Sequence, residues 1–189
     1  KLGAKAQTLI AEFLAKYAAG GNAPPYDPLN ISAAFMDLST KMMSDPSKMA
    51  ETQMQMWNDY MKLWQSTSMK MMGQDAETVI EAGKGDKRFK SDDWRDNQIF
   101  DFIKQSYLLT SKYISEAVES TEGLSEKDKA KTEFYTKQFL DAVSPTNFVL
   151  TNPDVLKATV EEKGQNLLRG LENIIEDLER GKGQLSIKM

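Results

Sequence analysis

Residues 50–72 read AETQMQMWNDYMKLWQSTSMKMM. Within this run Ala50, Met54, Trp57, Met61, Trp64, Ser68 and Met71 recur at spacings of four and three, a heptad-like seam on one face of a helix. Upstream, Ser44 and Asp45 precede Pro46, a capping side chain followed by a proline that the first turn tolerates. Gly73 marks the stop. At ~1.5 Å per residue such a helix is roughly 40 Å long, more than most helices in compact domains. Ten of the eleven methionines fall between Met36 and Met72. The unbranched thioether adapts its shape, which suits a surface that is irregular or changes.

A methionine and aromatic stripe at helical spacing serves either as plain core or as a docking face. Left in water, each large apolar side chain forgoes roughly 1.5–3 kcal/mol and promotes aggregation. The seam is therefore expected to be covered by this domain, by a second copy or by a hydrophobic partner surface. Met54, Trp57, Tyr60, Met61, Trp64 and Met71 are the candidate partner-binding residues.

Working outward, residues Leu2 to Tyr17 place Ala6, Leu9, Ile10, Phe13, Leu14 and Tyr17 on one helical face. Gly20, Gly21, Pro24 and Pro25 form a linker. A short helix is expected after Asp27, with Pro28 at its first position and Ile31, Ala34, Phe35, Leu38 and Met42 as its apolar face. Residues 73–90 read as a connector. Ser91, Asp92 and Asp93 open a helix carrying Ile99, Phe102, Ile103, Tyr107, Leu108, Ile114 and Val118, up to Gly123. Ser125 with Asp128 resembles a capping box. The next helix carries Phe134, Tyr135, Phe139, Leu140 and Val143, then Ser144-Pro145-Thr146-Asn147 turns the chain. Asn152 with Pro153 begins a helix through Leu156, Val160, Leu167, Leu171, Ile174 and Leu178, ended by Gly181 and Gly183. The weak alternation of Leu185, Ile187 and Met189 reads as a short C-terminal strand. The expected fold is all-α, with a helical arm over 1–85 and a helical domain over 86–189.

The 189 residues are 40% hydrophobic and 28% charged, enough to bury a core, with a net charge of −4. No basic stripe marks a nucleic-acid binder, and no apolar run is long enough to span a membrane. The start at Lys1, without an initiator methionine, reads as a fragment. Cysteine and histidine are both absent. Their absence removes the disulfide framework, the thiolate nucleophile, the zinc-thiolate site and the commonest general base. The pairs Asp92/Asp93, Glu161/Glu162 and Glu176/Asp177 are adjacent in sequence and so do not share a helix face. No catalytic, cofactor or metal site is expected.

The second half carries ordered words: Asp86-Lys87-Arg88-Phe89, Trp94, Ile99-Phe100-Asp101-Phe102 and Gln105-Ser106-Tyr107-Leu108-Leu109. These continue through Phe134-Tyr135, Gln138-Phe139, Ser144-Pro145-Thr146-Asn147-Phe148, Thr151-Asn152-Pro153, Gly164-Gln165-Asn166-Leu167, Gly170 and Glu176-Asp177-Leu178. In this order residues 86–189 resemble the N-terminal region of polyhydroxyalkanoate synthases, enzymes that polymerise hydroxyacyl-coenzyme A into storage polyester. The Met/Trp helix is most similar to the arm of the short-chain, single-subunit class. The resemblance implies an acyltransferase parent whose cysteine, histidine and aspartate lie downstream, so this chain is expected to be inactive alone. It further implies a cytoplasmic location at polymer granules, and as partners a second synthase copy, a phasin-like granule protein and the polyester surface. A stand-alone phasin-like coat protein is the alternative. Asn147 and Asn152 read as turn and cap residues, Gly164 and Gly170 as sites of close packing or a break, and Tyr107, Phe134, Phe139 and Phe148 as core.

Overall fold

Asp45 accepts a hydrogen bond from the Lys48 N–H at 3.0 Å, and Pro46 fills the first helical position. Gly73 at φ 77° ends the same helix. Its N–H reaches the Lys70 carbonyl, and the Gln74 N–H reaches that of Met69, the paired bonds of a Schellman stop. The methionine-rich helix therefore has the bounds its sequence dictates. In the computed structural model, which describes residues 27 and 29–180, the elements are α1 (Ile31–Met43), α2 (Pro46–Met71), α3 (Asp93–Asp96), α4 (Gln98–Glu119), α5 (Glu126–Ala142), a 3-10 turn (Pro145–Asn147), α6 (Pro153–Glu161) and α7 (Gln165–Arg180). No strand occurs among the described residues, and the fold is all-α. The Leu2–Tyr17 helix, the glycine-proline linker, Pro28, the Gly181 and Gly183 stop and the strand expected at Leu185–Met189 lie outside them.

The chain divides into two units. One runs Asp27–Leu156, and the other includes residues 157–180. In the first, α2 and α5 both pack on α4, and α1 rests mainly on α5. The residues before and after position 86 thus share one core. Leu63 of α2 meets Leu109 and Tyr113 of α4, with Met56, Tyr60, Phe102 and the connector residues Val79 and Ile80 packed around them.

Polar side chains fix this apposition. Gln105, fully buried, accepts from the Val79 and Ile80 N–H groups at 2.8 and 3.2 Å. Its amide also donates to Asp101 at 2.9 Å. Lys70 of α2 and Lys104 each sit 2.9 Å from the buried Asp101 carboxylate. The Ser66 hydroxyl donates to the Glu77 carbonyl at 2.7 Å, and the Tyr60 hydroxyl to that of Ser106 at 2.9 Å. Asp101 is a charge kept inside by two cations and an amide, the condition under which burial of an ion is tolerated.

The Asp86-Arg88-Phe89 stretch forms a second tie. Arg88 grips the Asp86 carboxylate through two nitrogens at 2.9 and 2.8 Å, and reaches Tyr107 of α4 and Asp141 of α5, each at 3.0 Å. The Tyr107 hydroxyl donates to the Leu140 carbonyl at 2.9 Å. Phe89 stands edge-on to the buried Trp94, with centroids 5.0 Å apart.

Three expected helix boundaries shift. The helix expected from Ser91 is interrupted, because Asn97 is extended and its side chain caps α4 at the Ile99 and Phe100 N–H groups. The helix after Asn152 is split by the left-handed pair Lys163 (φ 52°) and Gly164 (φ 81°). The helix expected just after Asp27 starts at Ile31, where the Asp27 carboxylate accepts from the Ile31 and Ser32 N–H groups. Caps at Ser125 and Asn152 form as expected. Phe134, Phe139 and Phe148 are more than half exposed rather than core. The inner face of α5 is taken by Thr132, Thr136 and Leu140, four residues apart, whose small threonines let the helices approach closely. In the second unit, Arg169 pairs with Glu162 and Asn166 donates to Thr159 at 2.8 Å. There α7 buries Ile175 and leaves Leu167, Leu171 and Ile174 exposed.

Replacing Gln105 by leucine leaves two partly buried N–H groups without an acceptor and is expected to cost about 1–3 kcal/mol in urea denaturation. Burial, with the hydrogen bond to Asp59, pushes the Tyr113 hydroxyl from its ordinary 10.0 up to about 12. Its contribution to stability is complete below the unfolded value and is lost as pH rises through that window. Tyr113→Phe is expected to flatten this alkaline loss relative to wild type, read from denaturation midpoints across the same range.

Candidate docking interface

Helical geometry gives α2 two faces, and the core uses the less apolar one. Met56, Tyr60, Leu63, Ser66, Thr67 and Lys70 recur at spacings of three and four and face α4 and the connector; Leu63, Ser66 and Thr67 are buried. The outer face carries Met54, Trp57, Met61, Trp64 and Met71, which are between 52% and 68% exposed. Two serine- and threonine-class side chains thus sit inside while two tryptophans and three methionines sit outside. This inverts the usual partition of a surface helix.

Five of the six sequence-selected residues therefore share one exposed face. Tyr60 does not: it is half-buried on the core side, bonded to Ser106 and facing the Thr110 hydroxyl. Trp64 is steadied from behind, edge-on to Phe102 of α4 with centroids 5.8 Å apart. Beside it lies a shallow groove bordered by Asn58, Met61, Lys62, Trp64, Gln65 and Ser68, where the small serine interrupts the line of large side chains.

The outer face carries little net charge. Lys62 sits 2.9 Å from Asp59. That bond, followed by the one from Tyr113 at 2.8 Å, holds the Asp59 carboxyl below the usual carboxylate range. Among its other polar neighbours Gln53, Asn58 and Gln65 are uncharged amides, and the exposed Glu51 adds a charge one turn before Met54. Over most of its length such a rim offers hydrogen bonds without a charge to desolvate.

A second recess, of mixed polar and apolar lining, was not singled out by the sequence. It is a cleft of about 620 Å³ between the ends of α1 and α4 and the start of α2, lined by Met42, Met49, Met56, Tyr113 and Ile114 among others. The clustering of methionines was its only trace in the sequence, and Met42 reads there as part of an ordinary core face. Among the described residues no group of three or more acidic side chains is arranged to hold a metal ion. None of the helices among them is long and apolar enough to cross a membrane.

The described residues form an all-α fold with an exposed methionine-tryptophan stripe, in a chain without cysteine or histidine. The chain belongs to the family described as the poly-beta-hydroxybutyrate polymerase (PhaC) N-terminus, whose model matches residues 85–189. It is 45% identical over 146 residues to a poly(3-hydroxyalkanoate) polymerase of Methylorubrum extorquens, covering 77% of this chain and 24% of that protein. It is 36% identical over 151 residues to a poly(3-hydroxyalkanoate) polymerase subunit PhaC of Rhizobium meliloti, covering 80% and 25%. The corresponding subunit of Cupriavidus necator is 31% identical over 137 residues, covering 72% and 22%. The chain thus spans about a quarter of the length of the curated relatives it matches. No solved structure matches it.

Substituting glutamine for the exposed Trp57 is expected to change unfolding stability by no more than about 0.5 kcal/mol, and for Trp64, which loses its edge-on contact with Phe102, by about 0.5–1.5 kcal/mol. Leu63→Ala, one step away on the buried face, is expected to cost about 2–5 kcal/mol. Urea titrations of the three variants test whether the two faces are energetically separate.

Proposed function

We propose that this chain is the non-catalytic N-terminal portion of a polyhydroxyalkanoate polymerase, and that its outer α2 face attaches the enzyme to hydrophobic surroundings. The carrying observation is the inverted helix: Trp57, Trp64 and their methionine neighbours are exposed while the core is closed without them. Family membership supplies the context. The reading comprises dimerisation, association with the polyester granule in the cytoplasm and docking of phasin-like granule proteins. Hydroxyacyl-coenzyme A is the substrate of the parent acyltransferase, whose cysteine and histidine must come from outside this sequence. The family match stands against a stand-alone coat protein.

An exposed apolar face gains most where water is displaced by another apolar surface. The polyester presents methyl and methylene groups and ester carbonyls, and the amide side chains of the rim can donate to the latter. The chain is expected to adsorb to a film of poly(3-hydroxybutyrate), and Trp57→Gln with Trp64→Gln to weaken adsorption more than tenfold, given the apolar area removed. Equal adsorption of wild type and double variant, both folded by circular dichroism, would sink the attachment role of this face.

A further inference from the structure

Helix α1 packs on α5 and on α2, and between it and α4 the bundle is left open. On one side of the gap is the cleft of about 620 Å³ at the ends of α1 and α4. On the other is a recess of about 520 Å³ bordered by Phe35, Val118, Tyr135, Thr136 and Phe139. Met42, Ile114 and Ala117 line both, and so form the wall between them. A methionine turns aside more readily than a branched side chain. Rotation of Met42 joins the two spaces into one slot beneath α1.

The slot is graded in polarity. Its mouth carries Lys41, Lys48, Asp45 and Glu122. Deeper, Met49, Met56 and Tyr113 form the floor of the first cleft, and the Tyr113 hydroxyl is already given to Asp59 at 2.8 Å. Beyond Met42 the lining is aromatic and aliphatic apart from Thr136 and the Tyr135 hydroxyl. We infer that this slot binds a straight-chain fatty acid, with the carboxylate at the Lys41 ammonium and the chain running past Met42 toward Phe139. The site is separate from the outer face of α2 and does not rest on the attachment reading.

Charge at the mouth selects the head group. Lys48 donates to the Ser120 carbonyl at 2.6 Å, and the Lys41 side chain runs beside Gly123, where an added Cβ would stand 3.6 Å from its ammonium. Among the described residues neither ammonium is in an ion pair. Of the two carboxylates, Asp45 is engaged in capping the Lys48 N–H at 3.0 Å, and Glu122 is exposed to water. Two cations without an anionic partner stand over an apolar floor, the arrangement that an anionic head and an aliphatic tail complete together. The volume lies within the roughly 300–1,000 Å³ of small-molecule sites. A bound chain also supplies the contacts that α1 and α4 do not make with each other, so occupancy fastens α1 to the bundle.

Dodecanoate, held below its micellar concentration, is titrated calorimetrically into the full chain. One equivalent is expected to bind and to raise the thermal midpoint. Lys41→Met keeps a long side chain and loses the ammonium; it is expected to weaken binding about tenfold, the effect of one charge-assisted hydrogen bond. Ala117→Phe fills the shared wall and is expected to abolish binding, with helicity checked by circular dichroism. Trp57→Gln with Trp64→Gln is expected to bind as wild type does. Undiminished binding by Lys41→Met overturns the proposal. So does loss of binding in the double tryptophan variant, which would put the amphiphile on the outer stripe, and so does uptake of many equivalents without saturation. Should Ala117→Phe fail to fold, nuclear Overhauser contacts from the dodecanoate chain to the Met42 and Met49 methyl groups of the wild type decide: their presence supports the slot and their absence overturns it.

Discussion

Everything about the outer surface of α2 depends on how its inner surface is held. That grip is a buried polar arrangement centred on Gln105 and Asp101. Gln105 accepts hydrogen bonds from the N–H groups of Val79 and Ile80 and donates one to Asp101, which in turn holds Lys70 and Lys104. Apolar packing alone is tolerant of rotation, because one methionine fills a gap much as another does. Hydrogen bonds are not tolerant: turning α2 so that its tryptophans faced inward would strand Lys70 and Ser66 away from Asp101 and the Glu77 carbonyl. The directional contacts choose which face is core, and the stripe is exposed as a result.

Arg88 does comparable work at the other end. Its fork spans a carboxylate on its own loop, a phenol on α4 and a carboxylate on α5. Only a planar guanidinium satisfies several acceptors in fixed directions at once. The short Asp86-Lys87-Arg88-Phe89 word, which in the sequence is only a pattern, is in the structure a clasp that orients the connector against two helices.

The bounds of α2, α5 and the capped start of α6 were legible because Asp45, Ser125 and Asn152 carry their mechanism locally. So was the periodicity of the Met/Trp stripe. What was not legible was which of two stripes on α2 would be buried, since Leu63 with Ser66 and Thr67 is the weaker hydrophobic signal. Phe134, Phe139 and Phe148 read as core for the same reason: their size outweighed the small, regularly spaced Thr132 and Thr136 that α5 uses for close approach. The breaks at Asn97 and at Lys163–Gly164 depend on single-residue backbone states that an apolar pattern running through them conceals. Tyr60 was grouped with the stripe by proximity in sequence, and its hydroxyl belongs to the core side.

The splitting of α2 into a hydrogen-bonded face and an apolar one has a consequence for inheritance. Trp57 is not needed to close the core cluster around Leu63, Leu109 and Tyr113. Mutations on the outer side are therefore scarcely screened by foldability, whereas those at Gln105 or Leu63 are screened by folding first. One helix can in this way drift toward a new neighbour on its outer side while its inner side stays under the constraint that keeps the domain intact.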